Sequence, residues 1–412
     1  MSKKKQTISL LVLSATAGLM YLAPFLRFSF YDQMMEALQI TDIQMGNIGS
    51  IYGLFYVIAF LPSGFLSEKF DTKILLFISN VAMGLCTVWY SFYPGYTAIL
   101  IIHALYGIFS VGTFWSPYLK AVRSLASEEK QGTIFGLSEG LRGVAQTIVS
   151  FICVGALGVA STVTFGFRVT LWINAAAYAL LAIAVLILLP SSKPEKTANT
   201  EKKNSNYTVL GFLKYPGTWI CIFIIMAGYC VWTTTNSYIG TYCTRVLGID
   251  ANMSSVLSII RSYIIVFVAG ASGGMIIDKF RTKGQGLMVA FGLVALSAVG
   301  ILLTNNLMFI CVIVTVLLSY MVNVVKGTYW SILGDAGIPL EATGLATGII
   351  SLIGLTPDIF TAPIISRFLA YGESAGNIET GFNMMLIWMV VWGAIGLTFS
   401  FLLKKKKETL SA

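Results

Sequence analysis

Six charged residues sit inside stretches that are otherwise apolar: Arg27, Glu139, Arg142, Arg261, Lys326 and Asp358. A charge at the centre of a bilayer costs about 2.5–3.5 kcal/mol, so six in lipid would cost roughly 15–20 kcal/mol. That exceeds the whole stability of a typical protein, about 5–15 kcal/mol. These side chains must therefore face one another or a water-filled cavity. With four cations against two anions, an anionic ligand is the simplest compensation.

Each has a structural and a chemical reading. The Arg261 guanidinium fits a carboxylate bidentately, or else it closes a salt bridge or clamps backbone carbonyls. Glu139 and Arg142 are spaced i, i+3 and share one helix face. They form an internal ion pair, or a pair that opens when substrate or a proton arrives, freeing Arg142 for an anion. Asp358 follows Pro357 near mid-span and either pairs with an intramembrane cation or carries a coupling proton. Lys326 either binds anion or snorkels to the surface. Arg27 either belongs to an outer ring that attracts anions or pairs with Asp32.

Asn236 and Asn323 are polar at depth and could orient a ligand. Aromatics such as Trp232 and Tyr320 most often pack, with ligand contact as the alternative. His103, the single histidine, reads as a packed side chain, with proton sensing as the other role. One histidine and six cysteines without a CxxC pair leave little for a metal site or a triad. Neither cofactor nor metal is expected, nor enzymatic activity.

What positions these residues is a membrane bundle. The 412-residue chain is 56% hydrophobic and 11% charged, with mean hydropathy +0.80. Soluble chains carry about 25% charged residues. Twelve stretches reach the roughly 20 residues a spanning helix needs: about 7–31, 45–67, 74–93, 97–121, 133–159, 168–190, 216–240, 252–277, 285–304, 307–332, 343–369 and 382–403. The net charge of +9 resembles a nucleic-acid signal until the cations are placed. Most fall in short clusters between spans, among them Lys3–Lys5, Lys69, Lys73, Lys279, Lys283 and Lys404–Lys407, as a cytoplasmic face requires. Nucleic acid is excluded as a partner, and both termini are expected in the cytoplasm. The N-terminus imitates a signal peptide, but hydrophobicity runs on past Ala17, so an uncleaved first span is expected.

The chain is also doubled. Residues 64–73 (GFLSEKFDTK) match 274–283 (GMIIDKFRTK) at five of ten positions, offset 210. Gly112-Thr-Phe-Trp115-Ser matches Gly327-Thr-Tyr-Trp330-Ser, and Glu129-x-x-Gly132-x-x-x-Gly136 matches Glu341-x-x-Gly344-x-x-x-Gly348. Helix order and direction are kept, so the repeats are parallel, related by an axis along the membrane normal. The domains expected are a six-helix bundle over 1–190, a cytoplasmic linker over 191–215 and a second bundle over 216–412 with a basic tail. Trp115 and Trp330, at equivalent sites, are gate candidates. The glycines of the fifth and eleventh spans, Gly143 and Gly348 among them, are expected to allow close helix approach.

Six plus six helices, a basic middle loop and a G-x-L-x-D-R-x-G-R-K-like loop in each half resemble the major facilitator superfamily over essentially the whole chain. Gly64, Leu66, Glu68, Lys69 and Lys73 fill the motif's main positions, as do Gly274, Ile276, Asp278, Lys279 and Lys283. The chain departs at the second glycine (Asp71, Arg281) and at the motif arginine (Thr72, Thr282). The general style is similar to the oxalate/formate and nitrate/nitrite carrier branch. The oxalate type resembles this chain in an Arg on the eighth helix but has a Lys where this chain has Pro357-Asp358. The nitrate type has denser glycine signatures. Sugar-phosphate carriers find half a match, in Arg27 alone.

The resemblance implies an all-α fold of twelve transmembrane helices in two pseudo-symmetric bundles, with the motif loops as conformational latches. The function expected is secondary active transport of a small organic anion, a carboxylate or sugar acid, by alternating access with proton coupling or exchange. The alternatives are a neutral or cationic solute with purely structural charges, and a sensor that has lost transport. A monomer in the cell membrane, with the lipid bilayer and an anionic substrate as partners, completes the expectation.

Overall fold

The structure, a computed structural model, describes residues 3–125, 131–191, 209–339 and 343–411. Among them no strand occurs. The helices are α1 (Lys3–Met20), α2 (Tyr31–Leu38), α3 (Asp42–Lys69), α4 (Thr72–Ser91), α5 (Tyr96–Val111), α6 (Trp115–Arg123), α7 (Gln131–Val159), α8 (Val163–Leu188), α9 (Val209–Lys214), α10 (Pro216–Arg245), α11 (Ala251–Ile259), α12 (Ile265–Ile277), α13 (Lys283–Thr304), α14 (Met308–Thr328), α15 (Thr343–Gly354), α16 (Pro357–Ser374) and α17 (Ile378–Ser411). Among the described residues, eleven continuous or interrupted stretches are long and apolar enough to cross a membrane. α1, headed by its lysines, is not among them; it holds the region of the expected first span. Large apolar side chains such as Leu180, Ile187, Leu303 and Phe309 stand more than two-thirds exposed, a surface suited to lipid rather than water. Most of the expected linker, and Glu129 and Glu341, lie outside the described residues.

The chain divides into two compact units. One holds residues 1–198 with 251–259, the other 199–250 with 260–412. In the first, α3 packs on α5, α4 on α8, and α1 on α7. Gly107 lets α5 meet α3: a Cβ there would lie 2.7 Å from Tyr52 O and 2.8 Å from Tyr56 N. α11 belongs to this unit, where Gln33 Nε2 donates to Ala251 O (3.1 Å) and Ser255 Oγ (3.0 Å). In the second unit α13 packs on α17, α12 on α14, and α10 on α17, α14 and α16. The buried face of α10, including Cys221, Ile222, Ile225 and Ala227, anchors that core. Of the glycines expected to allow close approach, Gly354 does so, a Cβ there lying 3.0 Å from Ile225 Cγ2 on α10, whereas a Cβ at Gly143 or Gly348 would have no neighbour within 4 Å.

Five of the expected continuous spans are broken or change helix type. The first ends at Met20 instead of running to 31, because Pro24 has no N–H to donate to the Met20 carbonyl. Tyr178 on α8 replaces it, its hydroxyl donating to Leu19 O (3.0 Å) and Met20 O (3.3 Å). The fourth breaks between α5 and α6, where Ser63 serves both ends. Its hydroxyl donates to Val111 O (2.7 Å) and accepts from Ser116 N (3.3 Å). The eleventh breaks before Pro357, and the Thr356 hydroxyl takes up the Ile353 carbonyl at 2.7 Å. The eighth widens over Ile260–Ile264 into a π turn between α11 and α12. In the tenth, α14 tightens into a 3-10 turn over Tyr329–Ile332. The echoed Gly-Thr-aromatic-Trp-Ser segments thus fall at a change of helix geometry in both units.

The motif departures have local causes. Asp71 is the N-cap of α4, its carboxylate accepting from Lys73 N at 2.8 Å and from Ser191. Thr282 is the N-cap of α13, closing a capping box with Gln285. A glycine or an arginine at these positions would leave the first turn of each helix with an unsatisfied N–H.

Candidate functional site

In the second unit the chemistry gathers on α10. Trp232 presents its ring face to the Lys326 ammonium, 3.1 Å from the ring centroid. Lys326 is in the last turn of α14 and also approaches the Tyr229 ring at 5.8 Å. A cation over an indole face is held by the ring quadrupole. Tyr229 stacks on Trp232 with centroids 5.5 Å apart and planes 18° from parallel. The Tyr229 hydroxyl donates to Asp358 Oδ2 at 2.6 Å. Asp358 is buried in the first turn of α16, where helix N–H groups favour a carboxylate. One unbroken path therefore joins Lys326, Trp232, Tyr229 and Asp358.

The two asparagines hold this arrangement. Asn323 Oδ1 accepts the Trp232 Nε1 proton at 3.2 Å while its amide donates to Ser319 O at 2.8 Å. Asn236 donates to Trp232 O at 2.9 Å and accepts from Ser262 Oγ at 2.8 Å. Both ends of each amide are engaged within the protein. Tyr320, on α14, shares a 2.6 Å hydrogen bond with Ser272.

Arg261 is in the π turn and only 3% exposed. Its Nη1 lies 3.9 Å from Cys243 Sγ on α10, a weak contact for a guanidinium. π turns add a residue to the helical ladder and occur most often at functional sites.

In the first unit Arg142 and Glu139 form the expected i, i+3 pair at 3.3 Å, with side chains 21% and 59% exposed. The Arg142 guanidinium also lies 5.3 Å from the Tyr21 ring centroid. Tyr21 donates to Ser110 O at 3.1 Å and meets Trp115 edge-on at 6.4 Å. Each unit thus sets a cation over an aromatic ring of its first long helix, Tyr21 on the turn ending α1 and Trp232 on α10. Arg27 is not on a helix within its span, as the sequence implied. It is buried in the 3-10 turn Leu26–Phe28, against the Phe25 and Phe28 rings at 5.3 and 5.0 Å. His103 is buried between Tyr90 and Tyr106, with Nδ1 2.9 Å from Ile99 O.

The gating candidates divide. Trp115 opens α6 and packs on Tyr118, and Trp330 lies in its 3-10 turn edge-on to Tyr329. Lys69 lies against Phe65 and Phe70, while Lys283 reaches Asp278 at 3.9 Å. Gly64 and Gly274 have open space where a Cβ would stand, and Glu68 is exposed. Sequence reasoning missed Asp335. Its carboxylate accepts from Lys283 N at 3.2 Å and pairs with Lys407 at 3.4 Å, tying α13 to the basic tail of α17. It also missed Ser262, whose only signal was its place beside Arg261.

Comparison with known proteins agrees with this architecture. The family model described as Major Facilitator Superfamily matches residues 8–361. Inner membrane protein YqcE of Escherichia coli is 26% identical, covering 98% of this chain and 96% of its own. The probable galactarate/D-glucarate transporter GudP of Bacillus subtilis is 24% identical over 90% and 86%. A D-galactonate transporter of Escherichia coli is 21% identical over 88% and 87%. Among solved structures, a bacterial homolog of the human lysosomal transporter Spinster, inward-facing and unoccupied, superposes with TM-score 0.79 at 14% identity, covering 99% of each chain. The chain belongs to the major facilitator superfamily. It is a multi-pass membrane transporter with the twelve-helix fold of that family, and not an enzyme.

Proposed function

We propose that this transporter is a secondary active carrier of a sugar acid or a closely related small organic anion. The observation that carries the reading is a buried guanidinium, Arg261, in a π turn of a membrane span. Arg142 offers a second guanidinium in the other unit. Carboxylates are the anions a guanidinium fork fits best. The names of two relatives, a probable galactarate/D-glucarate transporter and a D-galactonate transporter, support the same substrate class. Lys326 and Arg27 add positive charge, and Asn236 and Asn323 hold Trp232 in place beneath the Lys326 ammonium. The halves 1–190 and 216–412 alternate access around the substrate, with both termini in the cytoplasm. The loops containing Gly64 to Lys73 and Gly274 to Lys283 act as latches.

Uptake of labelled D-galactonate, D-galactarate and D-glucarate into proteoliposomes tests the reading. Accumulation of at least one, competed by unlabelled sugar acids but not by a neutral polyol, is expected. Uptake of a neutral polyol with all three anions refused would favour the rival in which the charges are structural.

Asp358 is the coupling group in this reading, its proton exchanged through the Tyr229 hydroxyl. Asp358→Asn is expected to abolish the stimulation of uptake by an inside-alkaline pH gradient while leaving counterflow exchange within about twofold of wild type. Loss of both activities together would assign Asp358 to substrate binding instead. Glu139→Gln in the same assay separates the second carboxylate: retained stimulation leaves it as the ion-pair partner of Arg142.

A further inference from the structure

Arg261 and Ser262 are neighbours in the π turn, yet both reach α10. Arg261 Nη1 meets Cys243 Sγ, and Ser262 Oγ donates to Asn236 Oδ1 at 2.8 Å. Asn236 and Cys243 are seven residues apart, which on an α-helix is two turns along nearly the same face, roughly 10 Å. In an ordinary α-helix adjacent side chains diverge by about 100°, so two neighbours do not both address one face of a partner helix. Here both do so from the π turn, and the hydrogen bond of Ser262 is a polar tie that fastens the turn to α10. Asn236 is itself locked, since its amide donates to Trp232 O. The anchor therefore has a fixed position along α10.

We propose that Ser262 is a positioning residue for Arg261. Its hydroxyl pins the π turn to Asn236 and thereby aims the guanidinium that selects carboxylate substrates. The proposal rests on the reading of Arg261 as the anion contact, and it deepens that reading by naming what sets the direction of the contact. A guanidinium that is misdirected by an ångström loses a fork geometry, although its charge stays in the site. The effect belongs to the affinity for the anion, not to the turnover of the loaded carrier.

The test is uptake kinetics in proteoliposomes of the full chain, with D-galactonate, D-galactarate and D-glucarate as probes. Ser262→Ala is expected to raise KM about tenfold, the weight of one hydrogen bond, with kcat changed less than about twofold. Ser262→Thr, which keeps the hydroxyl, is expected to restore KM. Asn236→Ala removes the same bond from the other side and supplies the measurement if Ser262→Ala is not recovered as a monodisperse protein. The double variant is expected to be no worse than the weaker single one, because the two share one interaction. An unchanged KM in Ser262→Ala or in Asn236→Ala, a multiplied effect in the double variant, or failure of Ser262→Thr to restore KM overturns the proposal. Arg261→Ala in the same preparations separates the two levels. If it leaves uptake intact, or if the wild type moves none of the probes, the anion reading falls and this inference with it. If Arg261→Ala abolishes uptake and Ser262→Ala does nothing, the positioning role alone falls.

Discussion

Arg261→Ala is expected to reduce sugar-acid uptake about a hundredfold at limiting substrate, and Arg261→Lys is expected to recover only a small part of it. A charge-assisted hydrogen-bonded pair contributes about 1.5–3 kcal/mol, and about 3 kcal/mol is more than a hundredfold in affinity. Lysine keeps the charge but not the planar fork, so a bidentate carboxylate contact is not rebuilt. The guanidinium is 3% exposed, and water cannot substitute for its partner as it would on a surface. Initial rates in proteoliposomes, normalised to monodisperse protein, decide the matter. An Arg261→Ala carrier with wild-type KM would remove Arg261 from the site.

Gly107→Leu is expected to destabilise the first unit by more than the usual overpacking cost of about 1–3 kcal/mol. A Cβ at position 107 would stand 2.7 Å and 2.8 Å from backbone atoms of α3, Tyr52 O and Tyr56 N, and 3.0 Å from the Phe55 Cβ. Backbone on a packed helix does not swing aside as the end of a long side chain does. The two helices must separate, and separation strips the contacts that bury Tyr52 and Tyr106. Thermal unfolding in detergent should show a large fall in midpoint or no recoverable folded protein. Gly155→Ala in α7 is the control, since nothing lies within 4 Å of a Cβ there. It is expected to hold or raise the midpoint, alanine being the better helix former by about 1 kcal/mol.

These two residues mark what the amino-acid order reveals and what it hides. Arg261 stood out because a charge in an apolar run has few innocent explanations. The twelve spans and the doubling were readable for the same reason: hydropathy and repeated motifs are written along the chain. The π turn was not readable, because residues 260–264 suit an α-helix equally well and only packing against α10 distinguishes the two. Gly107 attracted no notice, while of the glycines read as close-packing ones Gly143 and Gly348 have open space around them and Gly354 meets Ile225 of α10. A glycine's role depends on what faces it, and facing is a tertiary fact. The capping box Thr282-x-x-Gln285 was visible in principle, but a motif reading treats Thr282 as a missing arginine and overlooks the cap. The asparagines were read as polar residues that could orient a ligand. Their amides turn out to brace Trp232 and the π turn, a partnership between residues as far as 91 positions apart.

The breaks in the spans carry one more consequence. Pro24 leaves the Met20 carbonyl to the Tyr178 hydroxyl, and Pro357 leaves the Ile353 carbonyl to Thr356. In hydrocarbon an orphaned carbonyl is a serious fault, worth several kcal/mol. Pro24, in the turn after α1, and the Tyr178 hydroxyl on α8 therefore behave as one unit, whereas the Ile353 carbonyl also accepts from Thr356 N at 3.2 Å. A lineage that lost the hydroxyl first would carry a damaged helix, and one that lost the proline first would carry a hydroxyl with no task. Change at Pro24 and change at Tyr178 are therefore coupled, so the break after α1 constrains a residue of α8, far away in the chain.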